Sequence, residues 1–141
     1  MSVKEHWKRV SPLPEDIGDR LSRIPQWFAK TGADAIYLFG SSVRKIGNDI
    51  DLAILGTGLN MDQLHLSLRD FLGTGRIDLL DLSRARNWLA FEVISTGNLL
   101  CQRNEALVNA FETKVLKLHH DEEPRRKKHL AVLRERFCNG V

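Results

Sequence analysis

Apolar residues recur near the start of the chain as Leu13, Ile17, Leu21, Ile24 and Phe28, at spacings of 4, 4, 3 and 4. That period lays one stripe along one face of a helix. Ser11 can cap its start with Pro12 as the first helical residue, and Pro25, which has no amide hydrogen, should kink or restart it. Gly32 is the expected stop. The pattern then changes: residues 33–39 are short, partly β-branched and aromatic, and end at Gly40-Ser41-Ser42, which reads as a buried strand. Residues 49–55 alternate at first and then become wholly apolar, as in a strand covered on both faces. Leu64, Leu68, Phe71 and Leu72 return to helical spacing, from a cap at Asn60 to a stop at Gly73-Thr74-Gly75. Residues 76–82 predict a third strand, 87–95 a helix and 98–102 a short edge strand. Two helical stripes follow, Leu107, Phe111, Val115 and Leu118, then Leu130, Leu133 and Phe137, with Pro124 near the break between them. Helices alternating with strands predict an α/β domain, a small sheet flanked by helices with a helical C-terminal end.

The 141 residues, 43% hydrophobic and 28% charged, suffice for one core and not for two independent domains. The expected organisation is a single domain over 1–141, with its core at 13–118 and a helical extension at 119–141. Lys and Arg outnumber Asp and Glu by 21 to 18, a formal charge of +3. Part of the excess is the run Arg125-Arg126-Lys127-Lys128, which follows Asp121-Glu122-Glu123, so the two blocks largely offset each other. Direct nucleic-acid binding is not expected on that balance. No apolar run approaches the roughly 20 residues that cross a bilayer, and the polar start Met1-Ser2-Val3-Lys4-Glu5-His6 does not resemble a secretion signal. Cys101 and Cys138 lack Cys-x-x-Cys spacing and suit free thiols in a reducing cytoplasm.

The chemistry is concentrated between Phe39 and Leu52. A Gly-Ser turn ends one strand, and Asp49 and Asp51 open the next. Residues two apart in a strand project from the same face, so these carboxylates point into one space, where their mutual repulsion calls for positive charge. Hard oxygen ligands of this kind suit Mg²⁺, which keeps water and substrate phosphates as its other ligands. Gly40 lets backbone approach a ligand closely, Ser41 offers an amide and a hydroxyl to phosphate oxygens, and Arg44 and Lys45 could add charge. In the third strand Asp78 and Asp81 are three apart and face opposite ways, so only one can join the pair. Asp78 is the choice, since Asp81 sits at the strand exit, where it can cap the turn at Ser83. The plain alternative for Asp78 is a charge at a strand end paired with Arg76.

At these residues the chain resembles the minimal nucleotidyltransferases of the DNA polymerase beta superfamily, whose signature is Gly-Ser, a spacer and Asp-x-Asp, here Gly40-Ser41 and Asp49-Ile50-Asp51. The likeness extends to Arg76-Ile77-Asp78 and spans residues 21–118. It implies that Gly40 and Ser41, with Ser42 and Arg44 beside them, hold the β and γ phosphates of a nucleotide. Asp49 and Asp51 would bind Mg²⁺, and Asp78 would complete a second metal site and orient or deprotonate the acceptor hydroxyl. The seven residues between Ser41 and Asp49 make a shorter spacer than the family's usual one, with Lys45 after Arg44 and Asn48 before Asp49.

Short members of this family without a substrate domain resemble the antitoxin half of two-gene systems. The resemblance implies transfer of AMP from ATP, with two Mg²⁺ ions, to a tyrosine hydroxyl of a HEPN-type RNase toxin in a hetero-oligomer. Two other functions remain open: a binding module that neutralises its partner by contact, and a small-molecule nucleotidyltransferase of the aminoglycoside type, which would need a second domain or a dimer. The other chemistry-bearing residues read as structural. His119 and His120 diverge on a helix and suit its solvated end, and Trp7, Trp27 and Trp88 read as packing or partner contacts. Gly73-Thr74-Gly75 lacks the residues of a phosphate loop.

Overall fold

The computed structural model describes residues 13–43 and 49–139, with the backbone alone at Ser41, Ser42 and 123–139. Two short helices, α1 (Ile17–Ser22) and α2 (Ile24–Phe28), lead into β1 (Ala35–Leu38) and a single 3-10 turn at Gly40–Val43. Then come β2 (Ile50–Leu55), α3 (Met61–Leu72), β3 (Ile77–Asp81), α4 (Asn87–Thr96), β4 (Asn98–Gln102) and a long α5 (Glu105–Asn139). The four strands form one mixed sheet in the order β3-β2-β1-β4. β1 is antiparallel to both neighbours, whereas β2 and β3 run parallel and are joined through α3. The result is an α/β fold with the sheet between helices, as the alternation of patterns requires.

The strands' period of two divides their side chains between two cores. Ile36, Ile50, Leu52, Ile54 and Ile77 face α1, α2 and α3, where Ile24, Trp27, Phe28, Leu68 and Leu72 complete the packing. Ala35, Tyr37, Ala53, Leu55 and Leu82 face the other way, under Ala90 and Val93 of α4 and Val108 and Val115 of α5. Asn60 caps α3 by accepting from the Gln63 amide at 3.2 Å, and Gly73 ends it in the left-handed conformation. The Arg20 guanidinium donates to the Leu72 carbonyl at 3.1 Å at that end, tying α1 to α3.

Three expectations need correction. The helix expected from Pro12 starts instead at Ile17: residues 13–16 are coil and turn, since a proline at 14 disfavours helical backbone at the residue before it. Ser11 and Pro12 themselves lie outside the described residues. Pro25 does restart the helix, at the second position of α2, where a missing amide costs nothing. Pro124 does not break the C-terminal segment, which runs on as one helix of 35 residues. One lost amide can be absorbed by a bend where strong helix formers lie on both sides, as Glu122, Glu123 and Arg125 to Lys128 do here. His119 accordingly lies within the helix and not at a solvated end, its ring stacked on Phe91 with centroids 3.5 Å apart. Among the described residues no helix is long and apolar enough to cross a membrane.

Candidate active site

The parallel pairing of β2 with β3 sets the site. Its register places Asp51 beside Asp78, with Ile50 beside Ile77 and Leu52 beside Leu79. Paired residues on neighbouring strands share a face, and Asp49 precedes Asp51 by two, so Asp49, Asp51 and Asp78 all belong to the face that also carries Ala53 and Leu80. Asp49 and Asp78 are exposed and Asp51 is half-buried. The acids thus form one margin of a face that is apolar farther along the same strands.

Asp81 takes the opposite face, level with Ile54. Its Oδ1 accepts hydrogen bonds from the Ser83 amide at 3.0 Å and the Ser83 hydroxyl at 2.6 Å, with Arg84 3.8 Å from the other oxygen. Of the two candidates for a third acid, Asp78 therefore shares a face with Asp51, and Asp81 is used in closing a turn.

The Gly-Ser turn meets the acids directly. Phe39 donates its amide to the Asp51 carbonyl at 3.0 Å, which brings the end of β1 level with the second aspartate. Gly40 follows at φ +67°, and a Cβ placed on it would lie 2.7 Å from Asp51 Oδ2. Only glycine meets both conditions, a left-handed backbone and a carboxylate against its α-carbon. The backbone of Ser41 and Ser42 continues the 3-10 turn. Arg44 and Lys45 lie outside the described residues. The far end of α4 packs beside this turn, where a Cβ on Gly97 would come within 2.8 Å of the Leu38 carbonyl oxygen.

Several supports of this site carry no signature in the sequence. His65 of α3, half-buried, bonds through Nε2 to the Ile77 carbonyl at 3.0 Å, which fixes edge strand β3 one residue before Asp78. Tyr37, level with Ala53 on the acid-bearing face, donates its hydroxyl to Glu112 at 2.6 Å and so pins α5 to the sheet across 75 positions. Burial, then the bond to the Glu112 carboxylate, pushes the Tyr37 hydroxyl far above its usual titration range. Arg76 is buried just before β3, and the two-residue spacing to Asp78 was the available signal that it shares that face. The tryptophans divide: Trp27 is buried with its ring nitrogen donating to Ser67 at 2.9 Å, Trp88 is exposed on α4, and Trp7 lies outside the described residues.

The donor set suits a hard divalent cation, since it consists of carboxylate oxygens from adjacent strands beside a backbone turn. Among the described residues no three His, Cys, Asp or Glu side chains are gathered closely enough to hold an ion by themselves. Magnesium ordinarily takes one or two protein carboxylates and fills its shell with water and substrate phosphate. Carboxylates next to backbone amide donors are a set of groups suited to a metal-bound polyphosphate. The chain belongs to the polymerase beta nucleotidyltransferase family, whose model matches residues 23–106.

Several solved structures with the same fold come from toxin–antitoxin complexes. One chain is from the complex of a tri-AMPylated Shewanella oneidensis HEPN toxin with its MNT antitoxin, with 23% identity and a TM-score of 0.63 over 83% of this chain and 98% of that one. Another is from a toxin–antitoxin structure with AMP-PNP, at 24% identity and a TM-score of 0.65 over 80% of this chain and 97% of that one. A third, from the MntA–HepT complex, has 23% identity and a TM-score of 0.63 over 82% and 97%. At these identities the likeness is one of fold. No curated protein matches the chain.

Proposed function

We propose that the acid face transfers AMP from ATP to a hydroxyl of a HEPN-type RNase toxin, a tyrosine hydroxyl by the family resemblance, and that the chain is that toxin's antitoxin. The observation that carries the reading is the single cluster formed by Gly40, Asp51 and Asp78: a glycine turn against one carboxylate, with a second level with it on the parallel strand. The fold shared with chains of an AMPylated-toxin complex and of an AMP-PNP complex supports the nucleotide and the partner.

In this reading the amides of Gly40 and Ser41 bind the β and γ phosphates, with Ser42 and Arg44 beside them, and Asp49 and Asp51 hold Mg²⁺. Asp78 completes a second metal site and holds the acceptor hydroxyl, whose proton it takes as the oxygen attacks the α-phosphorus. One P–O bond forms to the acceptor while the bond to the bridging oxygen breaks and pyrophosphate leaves. Two Mg²⁺ ions, when bound, neutralise charge on the attacking and leaving oxygens. The protein's share is positioning and charge, with no covalent intermediate. The toxin itself supplies the outer wall of the cleft.

The test is ATP labelled at either the α or the γ phosphate, incubated with the chain and its copurifying partner in Mg²⁺. Label from the α position alone should reach the partner, and Asp51→Asn should abolish it. A partner silenced equally well by Asp51→Asn, with label transferred from neither position, would identify inhibition by contact instead.

A further inference from the structure

Arg76 is the one charged residue buried to core level among the described residues, with 9% of its surface exposed. An ionised guanidinium out of water is stable only beside negative charge or strong acceptors. Its place in the sheet identifies that charge. The Ile50 amide donates to the Arg76 carbonyl at 3.0 Å as part of the parallel Ile50–Ile77 pair, and the same register carried back one residue sets Arg76 level with Asp49. Strand alternation from Asp78 puts the Arg76 side chain on the face that carries Asp49, Asp51 and Asp78. The Arg76 amide donates to the Thr74 hydroxyl at 3.1 Å, and Thr74 is itself buried, so the backbone is held where the strand begins. None of Asp49, Asp51, Arg76 and Asp78 stands isolated.

We infer that Arg76 is a positioning residue, the internal counter-charge of the acid face. It holds the carboxylates together before a cation arrives, and by its own charge it limits how tightly the site then takes that cation. The second half of this claim rests on the magnesium-dependent function proposed above. The first half, a charge coupling within the protein, stands apart from it.

Thermal unfolding of the full chain without nucleotide separates the two. Wild type, Arg76→Met, Asp49→Asn and the double variant are compared in chelator and across a Mg²⁺ titration. Arg76→Met is expected to lower Tm in chelator by about 5 °C. It is also expected to reach its half-maximal Mg²⁺ stabilisation at a roughly tenfold lower concentration, because a competing positive charge has gone. Adding Asn at position 49 should return most of the lost Tm, since the repulsion that Arg76 offsets is then reduced. Additive losses in the double variant, or an unchanged Mg²⁺ response in Arg76→Met, would overturn the proposal. If Arg76→Met does not fold, recovery of folding in the double variant is the expected result and its failure the contrary one. A wild-type Tm indifferent to Mg²⁺ would count against the magnesium reading, while the comparison in chelator still decides the coupling.

Discussion

The two faces of the sheet are made by the same strands and differ completely in what they carry. On one, Ile36, Ile50, Leu52, Ile54 and Ile77 are covered by three helices, and apolar packing is continuous. On the other, Ala53, Leu55 and Leu80 continue an apolar core under α4 and α5, but Asp49, Asp51 and Asp78 replace it at one margin. A strand residue's neighbours in sequence therefore belong to a different environment: Asp51 lies between Ile50 and Leu52, both wholly buried on the far side. The fully apolar face fixes the strand pairing that sets Asp49, Asp51 and Asp78 on one margin of the other. Stability and chemistry are separated by alternation along a few residues and not by distance along the chain.

That separation can be broken one side at a time. The largest effect is expected from Asp51→Asn, which should cut nucleotidyl transfer by at least ~10³-fold while Tm stays level or rises, because a repelling charge is removed. Steady-state turnover together with thermal unfolding reads both. Leu52→Ala, one position away, should do the reverse. It should cost about 3 kcal/mol of unfolding free energy by denaturant titration while the folded fraction keeps its turnover.

Gly40→Ala lies where the two sides meet. The added methyl needs a left-handed backbone and displaces the Asp51 carboxylate, so turnover should fall about 10–100-fold with only ~1–2 kcal/mol lost in denaturant titration. Tyr37→Phe is the mildest, expected to cost ~1–2 kcal/mol at neutral pH through the missing bond to Glu112. It also carries a sign in pH. The folded protein holds the Tyr37 proton above the unfolded value of 10.0, so this residue's stabilisation is complete below about pH 9 and fades as the unfolded state ionises above it. Wild type should therefore lose stability between about pH 9 and 11 by an increment that Tyr37→Phe does not show in denaturant titrations.

Much of this arrangement is visible in the residues themselves. Apolar runs bounded by glycine and aspartate mark β1, β2 and β3, and a short apolar run after Gly97 marks the edge strand 98–102, because turn chemistry is local. Gly40 and the aspartate pair stand out because their spacing follows from a turn between two strands. The opposition of Asp78 and Asp81 follows from strand parity, and the bond from Ser83 to Asp81 agrees with it.

What was hidden is what depends on the tertiary register. That Asp51 lies beside Asp78 is set by parallel pairing through α3, which no residue in either strand announces. The same holds for Tyr37 and Glu112, joined across the width of the domain. Arg76 reads in sequence as a charge at a strand end two residues before Asp78, and only the fold shows it buried. The misplaced helix start and the expected break at Pro124 have a different cause. Proline changes a helix by its position within the first turn and by what surrounds it, and an apolar stripe reports neither.

The most direct test of the central claim, that these acids catalyse nucleotidyl transfer, is the intact mass of every protein that copurifies with the chain, compared between wild type and Asp51→Asn. The account predicts a partner carrying nucleoside monophosphate adducts with wild type and none with the variant. A tightly bound partner of unchanged mass in both preparations would contradict it.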